Sequence, residues 1–236
     1  MQCAILAGGL ATRMLPATEA IPKALLDVAG RPFADHQLTW LAEHGVTEVV
    51  YCIAHLGDQI RAYVGDGRAW GLRVRYADEG ERRLGTGGAL RAAAEAGLLD
   101  HAFLVLYGDS YLQVDVREVW TAFRSSGLPS LMTVYRNDAM HEPRNARFSG
   151  CRIEAYEKGH PDPSGAGMHH IDYGLLAFRR SVLCDLVAPE IAQDLSAAQH
   201  VLARIGLMAG FEATERFYEI GSPEGRAELD AVLARV

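Results

Sequence analysis

The stretch that decides the fold is Gln2-Cys-Ala-Ile-Leu6 followed by Ala7-Gly-Gly-Leu-Ala-Thr-Arg13. An unbroken apolar run of this length reads as a strand buried on both faces, and such strands belong to parallel sheets covered by helices. The strand ends in a turn through Gly8 and Gly9. Glycine there lets backbone N–H groups approach an anion closely, and Arg13 adds a forked cation. Two glycines after a strand are, on their own, more often a plain strand-to-helix turn. The residues downstream decide between the two readings. The Gly-Lys-Ser/Thr of a Walker loop is missing, and so is a GxGxxG fingerprint.

Working outward, strand and helix signals alternate. Pro32–His44 has apolar residues at helical spacing, with Gly45 as its stop. Glu48–Ile53 reads as a second buried strand, Leu56–Val64 as a helix and Arg73–Ala77 as an alternating strand. Leu90–Leu99 reads as a helix, Ala102–Tyr107 as a strand, Val114–Arg124 as a helix and Ser130–Tyr135 as a strand. This alternation predicts an α/β fold with a mostly parallel sheet covered on both faces. The rhythm changes after Arg136. Asn137–Arg147 is polar and irregular, and Gly159–His169 separates two strand-like runs, Cys151–Glu157 and Ile171–Phe178. Ser222-Pro-Glu224 opens a last helix, with Ser222 as N-cap and Pro223 at its first position.

The chain has 236 residues, 49% of them hydrophobic and 22% charged, which suits an ordinary globular core. A net charge of −7 argues against a broad nucleic-acid or membrane surface, while leaving room for a local cationic site. The N-terminus has no signal-peptide pattern, and no apolar run is long enough to span a bilayer, so a cytoplasmic protein is expected. No further domain is expected after the last helix. Cys3, Cys52, Cys151 and Cys184 show no metal spacing and read as buried small hydrophobes in a reducing compartment.

Lys23 follows Pro22 at the edge of an apolar run, in Ile21-Pro-Lys-Ala-Leu-Leu, and Gly30-Arg-Pro comes soon after. A lone lysine is ordinarily a solvated charge. Coupled to the Gly-Gly…Arg13 turn, it becomes a candidate phosphate ligand. The whole pattern, Leu-Ala-Gly-Gly…Thr-Arg-Met through Pro-Lys to Gly-Arg-Pro, resembles the signature of the sugar-1-phosphate nucleotidyltransferases. The likeness is greatest to heptose- and mannose-1-phosphate guanylyltransferases and MurNAc-1-phosphate uridylyltransferases. Ala11 stands where that family has a third glycine, and alanine calls for a backbone without strongly positive φ.

The resemblance continues along nearly the whole chain. It implies a Rossmann-like, mostly parallel sheet flanked by helices, with a sugar-binding region inserted in the C-terminal half. A single domain spans 1–236, with a nucleotide-binding half over about 1–135 and a sugar-phosphate-binding half over about 136–236. It implies nucleotide contacts from Leu6, Ala7, Gly8 and Gly9, from Gly85 and Thr86 of Leu84-Gly-Thr-Gly-Gly-Ala-Leu, and from Asp109. It makes Arg13 and Lys23 the catalytic cations, at the leaving pyrophosphate and the α-phosphate. Glu157, Lys158, Asp172 and Gly174 would take the sugar phosphate. Asp109 and Glu219 would hold Mg²⁺, with Glu219 standing in Phe217-Tyr-Glu-Ile-Gly-Ser-Pro-Glu where the family has Asp. The alternative reading is that Glu219 is a salt-bridge partner of a neighbour such as Arg216.

The implied partners are an NTP and a sugar 1-phosphate, with neither nucleic acid nor membrane. Sugar, base and assembly into a homo-oligomer stay open, with GTP or UTP favoured over CTP and dTTP. Three other readings share the fold. A molybdopterin guanylyltransferase would have its lysine much closer to Arg13. A phosphocholine cytidylyltransferase would need an aromatic, acidic pocket, for which Tyr156, Tyr173 and Asp172 are candidates. An inactive nucleotide- or sugar-sensing protein would be expected to lack Arg13, Lys23 or Asp109.

Overall fold

The computed structural model describes residues 1–137 and 143–234. The first half comprises β1 (Gln2–Leu6), a small hairpin of β2 (Asp27–Val28) and β3 (Arg31–Pro32), α1 (Phe33–Glu43), β4 (Glu48–Ile53) and α2 (Gly57–Val64). It continues with β5 (Arg73–Asp78), α3 (Gly85–Glu95), β6 (Ala102–Tyr107), β7 (Ser110–Tyr111) and α4 (Val116–Ser126). The second half comprises β8 (Ser130–Arg136), β9 (Ala146–Ser149), β10 (Arg152–Tyr156), β11 (His170–Arg179) and α5 (Arg180–Leu186). It ends with α6 (Leu195–Arg204), β12 (Met208–Ala213), β13 (Tyr218–Glu219) and α7 (Pro223–Leu233).

One nine-stranded sheet runs through both halves in the order β5-β4-β1-β6-β11-β8-β12-β10-β9. The expected parallel sheet is found over β5, β4, β1 and β6. Beyond β6 the sheet is mixed: β11 is antiparallel to both β6 and β8, and β12 is parallel to β8. The alternation of side chains explains why the first strands read as unbroken apolar runs. Cys3 and Ile5 face the core under α1, α2 and α4, with Val49, Tyr51, Leu104 and Leu106. Ala4, Val50, Cys52, Phe103 and Val105 face the opposite core, under α3, α5 and α6. Both faces are covered, so neither can be polar.

Several sequence expectations need correction. α3 begins at Gly85 rather than Leu90 and ends at Glu95. Its first turn is the glycine-rich segment itself, whose low helix propensity hides it. β9 begins at the end of the stretch read as irregular, at Ala146, and runs past it to Ser149, while residues 138–142 of that stretch lie outside the described residues. α5, α6 and β12 carried no expectation at all. Cys3 and Cys52 are buried, but Cys151 is exposed and Cys184 only half-buried. Burial pushes the Cys3 thiol up, with Cys52 beside it adding to the shift. Ala11, expected to avoid positive φ, sits in the left-handed region at φ 50°, ψ 40°. There its carbonyl accepts hydrogen bonds from Met14 N–H at 2.9 Å and Thr18 Oγ1 at 3.0 Å, which over-determine the turn.

α7 starts as its sequence indicates: Ser222 Oγ accepts from Gly225 N–H at 3.1 Å, and Pro223 opens the helix. A third apolar cluster, Val28, Phe33, Ile220 and Leu229, fastens α7 to the β2–β3 hairpin. Asp230 Oδ1 accepts from Ala29 N–H at 2.7 Å, and Arg226 Nε donates to Asp27 O at 2.8 Å. The end of the described chain is thereby tied to the segment just after Lys23.

Candidate active site

A cleft of about 610 Å³ opens where β1, β4 and β6 end. The carboxyl edge of a parallel sheet is where chains diverge to either side, so ligand space forms there. Leu6, Ala7, Gly8, Gly9, Arg13 and Lys23 line it from the first motif. β1 and β6 run together to this edge, Leu6 opposite Tyr107, and Gly108 N–H donates to Leu6 O at 3.1 Å. A Cβ at position 108 would collide with the Leu6 carbonyl, so glycine is required for β6 to deliver Asp109 here.

Lys23 begins a 3-10 turn directly after Pro22, whose fixed φ aims it. Its Nζ stands 2.9 Å from Oδ2 of Asp109, and about a fifth to a quarter of each side chain is exposed. Asp109 O accepts from Ile220 N–H at 2.9 Å, and β7 pairs antiparallel with β13, Glu219 opposite Ser110. Two carboxylates, Asp109 and Glu219, are thus carried into one cleft by neighbouring strands whose residues lie more than a hundred positions apart. Arg216, considered as a partner for Glu219, instead forks onto Glu228, with Nη2 at 2.8 Å from Oε2. Arg13 reaches the same place: a Cβ built on Gly221 would lie 3.2 Å from Arg13 Nη2 and 3.5 Å from Asp109 Oδ2.

Gly85 and Thr86 line the cleft as the first turn of α3. The glycines of this turn answer to packing. A Cβ at Gly85, Gly87 or Gly88 would fall 2.8–3.0 Å from backbone oxygens of Gln193 or Ile191. Gly87 and Gly88 N–H both donate to Gln193 O, Gln193 N–H donates to Leu84 O, and Leu195 N–H donates to Thr86 Oγ1 at 2.8 Å. The segment before α6 is therefore laced onto the start of α3.

Of the residues expected at the acceptor end, Lys158 and Asp172 line the cleft, whereas Glu157 and Gly174 are outside its lining. Glu157 is exposed on the strand end after β10. Gly174, at φ 102°, packs on Ser110 within an irregular register of β11. Lys158 Nζ lies 3.9 Å from Oδ2 of Asp194, the N-cap of α6. Asp172 Oδ2 accepts from Tyr107 OH at 2.9 Å and Gln199 Nε2 at 3.0 Å, and Asp172 N–H donates to Asn145 Oδ1 at 2.9 Å. Burial pushes the Asp172 carboxyl up, against the hydrogen bonds that lower it.

Sequence reading overlooked Glu79, Arg83, Tyr107, Asn145 and Asp194, all of which line the cleft. Glu79 is 7% exposed; burial pushes its carboxyl up, and its Oε2 accepts from Leu84 N–H at 3.0 Å. For Asp194, burial is outweighed by hydrogen bonds from Ser196, which hold its carboxyl below the usual range. Only Asp194 had a readable signal, as an N-cap Asp before a helical pattern. The wall carries four cations, Arg13, Lys23, Arg83 and Lys158, among five carboxylates. An acidic chain can therefore present anion-binding groups in one place.

Among the described residues no helix is long and apolar enough to cross a membrane, and no group of three or more His, Cys, Asp or Glu could hold a metal.

The sequence from 3 to 145 matches the family model described as Nucleotidyl transferase. The chain is 36% identical over 145 residues to the N-acetylmuramate alpha-1-phosphate uridylyltransferase of Neisseria meningitidis, covering 61% of this chain and 62% of that protein. It is 25% identical over 240 residues to a protein of the same name from Caulobacter vibrioides, covering 98% and 96%. It shares the fold of HddC from Yersinia pseudotuberculosis, with a TM-score of 0.80 and 22% identity over 98% of this chain and 99% of that one. The family match begins inside β1, crosses the Lys23 turn, α3 and the Asp109 edge, and ends at Asn145 on the cleft wall; the chain belongs to the nucleotidyl transferase family.

Proposed function

We propose that this protein transfers a nucleoside monophosphate from an NTP to a sugar 1-phosphate and releases pyrophosphate, with Mg²⁺ as cofactor. The observation that carries this reading is convergence. Arg13, Lys23, Asp109 and Glu219 come from four separate segments and line one cleft at the sheet's carboxyl edge. Several relatives, including the Neisseria protein, are named for this kind of transfer.

An oxygen of the sugar phosphate attacks the α-phosphorus of the NTP. The new P–O bond forms as the bond from the α-phosphorus to the β-phosphate's bridging oxygen breaks, and pyrophosphate leaves with the electron pair. No base is needed, because the second ionisation of a phosphate monoester lies near pH 6 and the attacking oxygen is already anionic. The obstacle is repulsion between anions, and fixed cations lower it. Lys23, after a rigid Pro22, neutralises charge at the α-phosphate. Arg13 takes the leaving pyrophosphate with its fork. Lys158 holds the acceptor phosphate. Gly8 and Gly9 let backbone N–H groups come close to the triphosphate.

Asp109 and Glu219 would hold the Mg²⁺. Two carboxylates with substrate phosphates completing the shell is a donor set this ion favours. When bound, it supplies positive charge to the reacting phosphates.

The test is pyrophosphate release from four NTPs against a panel of sugar 1-phosphates and phosphocholine, with and without Mg²⁺. Turnover that needs an NTP, a sugar 1-phosphate and Mg²⁺ together is expected. In Glu219→Gln, kcat falls and the Mg²⁺ concentration for half-maximal rate rises. Turnover with phosphocholine alone would overturn the sugar reading. NTP binding without turnover of any acceptor would replace it with a sensing role.

A further inference from the structure

The second half of the cleft contains a carboxylate whose hydrogen bonds come from neutral groups only, with the Lys158 charge acting on it from further off. Asp172 stands at the irregular start of β11, beside the end of β6. Its Oδ2 takes two donors, Tyr107 OH from β6 and Gln199 Nε2 from α6, and its Oδ1 takes one, Gly174 N–H at 3.1 Å. A carboxylate oxygen accepts about two hydrogen bonds. Oδ2 is therefore filled, and Oδ1 keeps one acceptor position. No ion pair engages Asp172 among the described residues, although Asp172 lines the cleft.

The two supporting groups are fixed in turn. Gln199 is fully buried, and its Oε1 has no hydrogen-bond partner among the described residues, so the amide serves through its donor. Burial first, and then Asp172 itself, push the Tyr107 phenol well above its usual range, which keeps it a donor. Both side chains therefore deliver hydrogen bonds to the same oxygen and prevent the carboxylate from rotating. Asn145 holds the Asp172 backbone from the opposite side at 2.9 Å.

We propose that Tyr107 and Gln199 are positioning residues that lock the Asp172 carboxylate so that Oδ1 reads one hydroxyl of the acceptor, making this triad the determinant of acceptor selectivity. The inference rests on the sugar 1-phosphate reading above. It assigns the acceptor rather than the nucleotide because the groups around Asp172 on the cleft wall, Asn145, Tyr156 and Lys158, belong to the second half of the chain. A site built to bond a hydroxyl rejects the analogue that lacks it, because the buried polar group is then left unpaired. That rejection depends on the carboxylate being held still. Loosening it lets Oδ1 turn to water.

The experiment pairs enzyme variants with acceptor analogues. Glucose 1-phosphate, mannose 1-phosphate and N-acetylmuramate 1-phosphate, with the monodeoxy analogues of each, are assayed at saturating NTP. In the wild type, one deoxy position should lower kcat/KM by at least about a hundredfold. In Asp172→Ala that penalty should vanish. In Tyr107→Phe and Gln199→Leu, which leave the carboxylate in place, it should shrink about tenfold, through acceptor KM and with NTP KM unchanged. A general packing defect would lower all acceptors together and would not change the deoxy penalty. If both variants are folded and keep the full wild-type penalty, the positioning role is overturned while the sugar reading stands. If the wild type shows turnover but no deoxy position matters, Asp172 reads no hydroxyl and the proposal fails in the same way. If it turns over no sugar 1-phosphate at all, both readings fail.

Discussion

Lys23 Nζ and Asp109 Oδ2 stand 2.9 Å apart, joined across 86 positions of sequence. The contact ties the signature turn to the end of β6. It places a cation and an anion, both mostly shielded, at the edge where phosphates would react. Its effect on the stability of the free protein and, under the proposed function, its effect on turnover can be separated.

A double-mutant cycle makes that separation. Breaking one partner of a largely buried pair leaves the other uncompensated, so Lys23→Ala and Asp109→Ala should each cost about 1–2 kcal/mol. The double variant should cost about 1 kcal/mol less than their sum. Turnover behaves differently, falling about a hundredfold or more in Lys23→Ala. Urea unfolding and pyrophosphate release read the two. Strict additivity of stability would show the contact to be energetically idle, and near-normal turnover in folded Lys23→Ala would remove its proposed phosphate role.

Ala11 holds a left-handed backbone at φ 50°. That region costs an L-residue roughly 1–2 kcal/mol relative to glycine, partly offset by glycine's freer unfolded chain. Ala11→Gly should therefore raise stability by about 0.5–1 kcal/mol, and Ala11→Val should lower it. Thermal unfolding of the two variants decides the matter. A drop in Tm for Ala11→Gly would mean that the alanine methyl contributes more than the strain costs.

Gly9 lines the cleft, whereas Gly87 is buried in the first turn of α3, and the two are glycine for different reasons. A Cβ at Gly9 meets nothing within 4 Å, whereas one at Gly87 would lie 3.0 Å from Gln193 O. Gly87→Ala should lose about 1–3 kcal/mol through overpacking. Gly9→Ala should stay within about 0.5 kcal/mol of wild type, as an open surface position does. If a triphosphate needs the space at Gly9, its affinity should drop about tenfold in Gly9→Ala, equivalent to about 1.4 kcal/mol. Unchanged NTP affinity, measured by titration calorimetry, would remove Gly9 from the proposed phosphate cradle.

Glu79 gives a pH dependence with a definite sign. Burial raises its folded-state pKa above the unfolded value, so the folded state binds the proton more tightly. The stability it contributes is present below the unfolded value, near about pH 4, and is lost as pH rises through the folded value. Glu79→Gln keeps an acceptor for Leu84 N–H and carries no charge. Relative to wild type, this variant should gain stability as pH rises from about 4 through the folded-state value. Parallel stability-pH curves for the two proteins would show that Glu79 is solvated well enough to ionise freely.

The sequence by itself determined the parallel half of the sheet. Short unbroken apolar runs at β1, β4 and β6, alternating with helical patterns, read as strands covered on both faces, and glycine after β1 and β6 marks the edge where ligand space forms. Lys23 stands out only beside the Gly-Gly…Arg13 turn, and Asp109 only through the family resemblance, because a lone lysine and an aspartate after glycine are by themselves ordinary surface residues. The start of α3 was illegible, since the glycines that forbid a helix by propensity are demanded by the backbone of residues 191–195 packed above them. Ala11 was misread for a similar reason: hydrogen bonds from Met14 and Thr18 hold a conformation its own side chain disfavours. Tertiary structure alone brought Tyr107, Asp172 and Gln199 together. Their mutual bonds span 65 and 27 positions, respectively, and such long-range pairing leaves no periodicity in the chain for a reader to find.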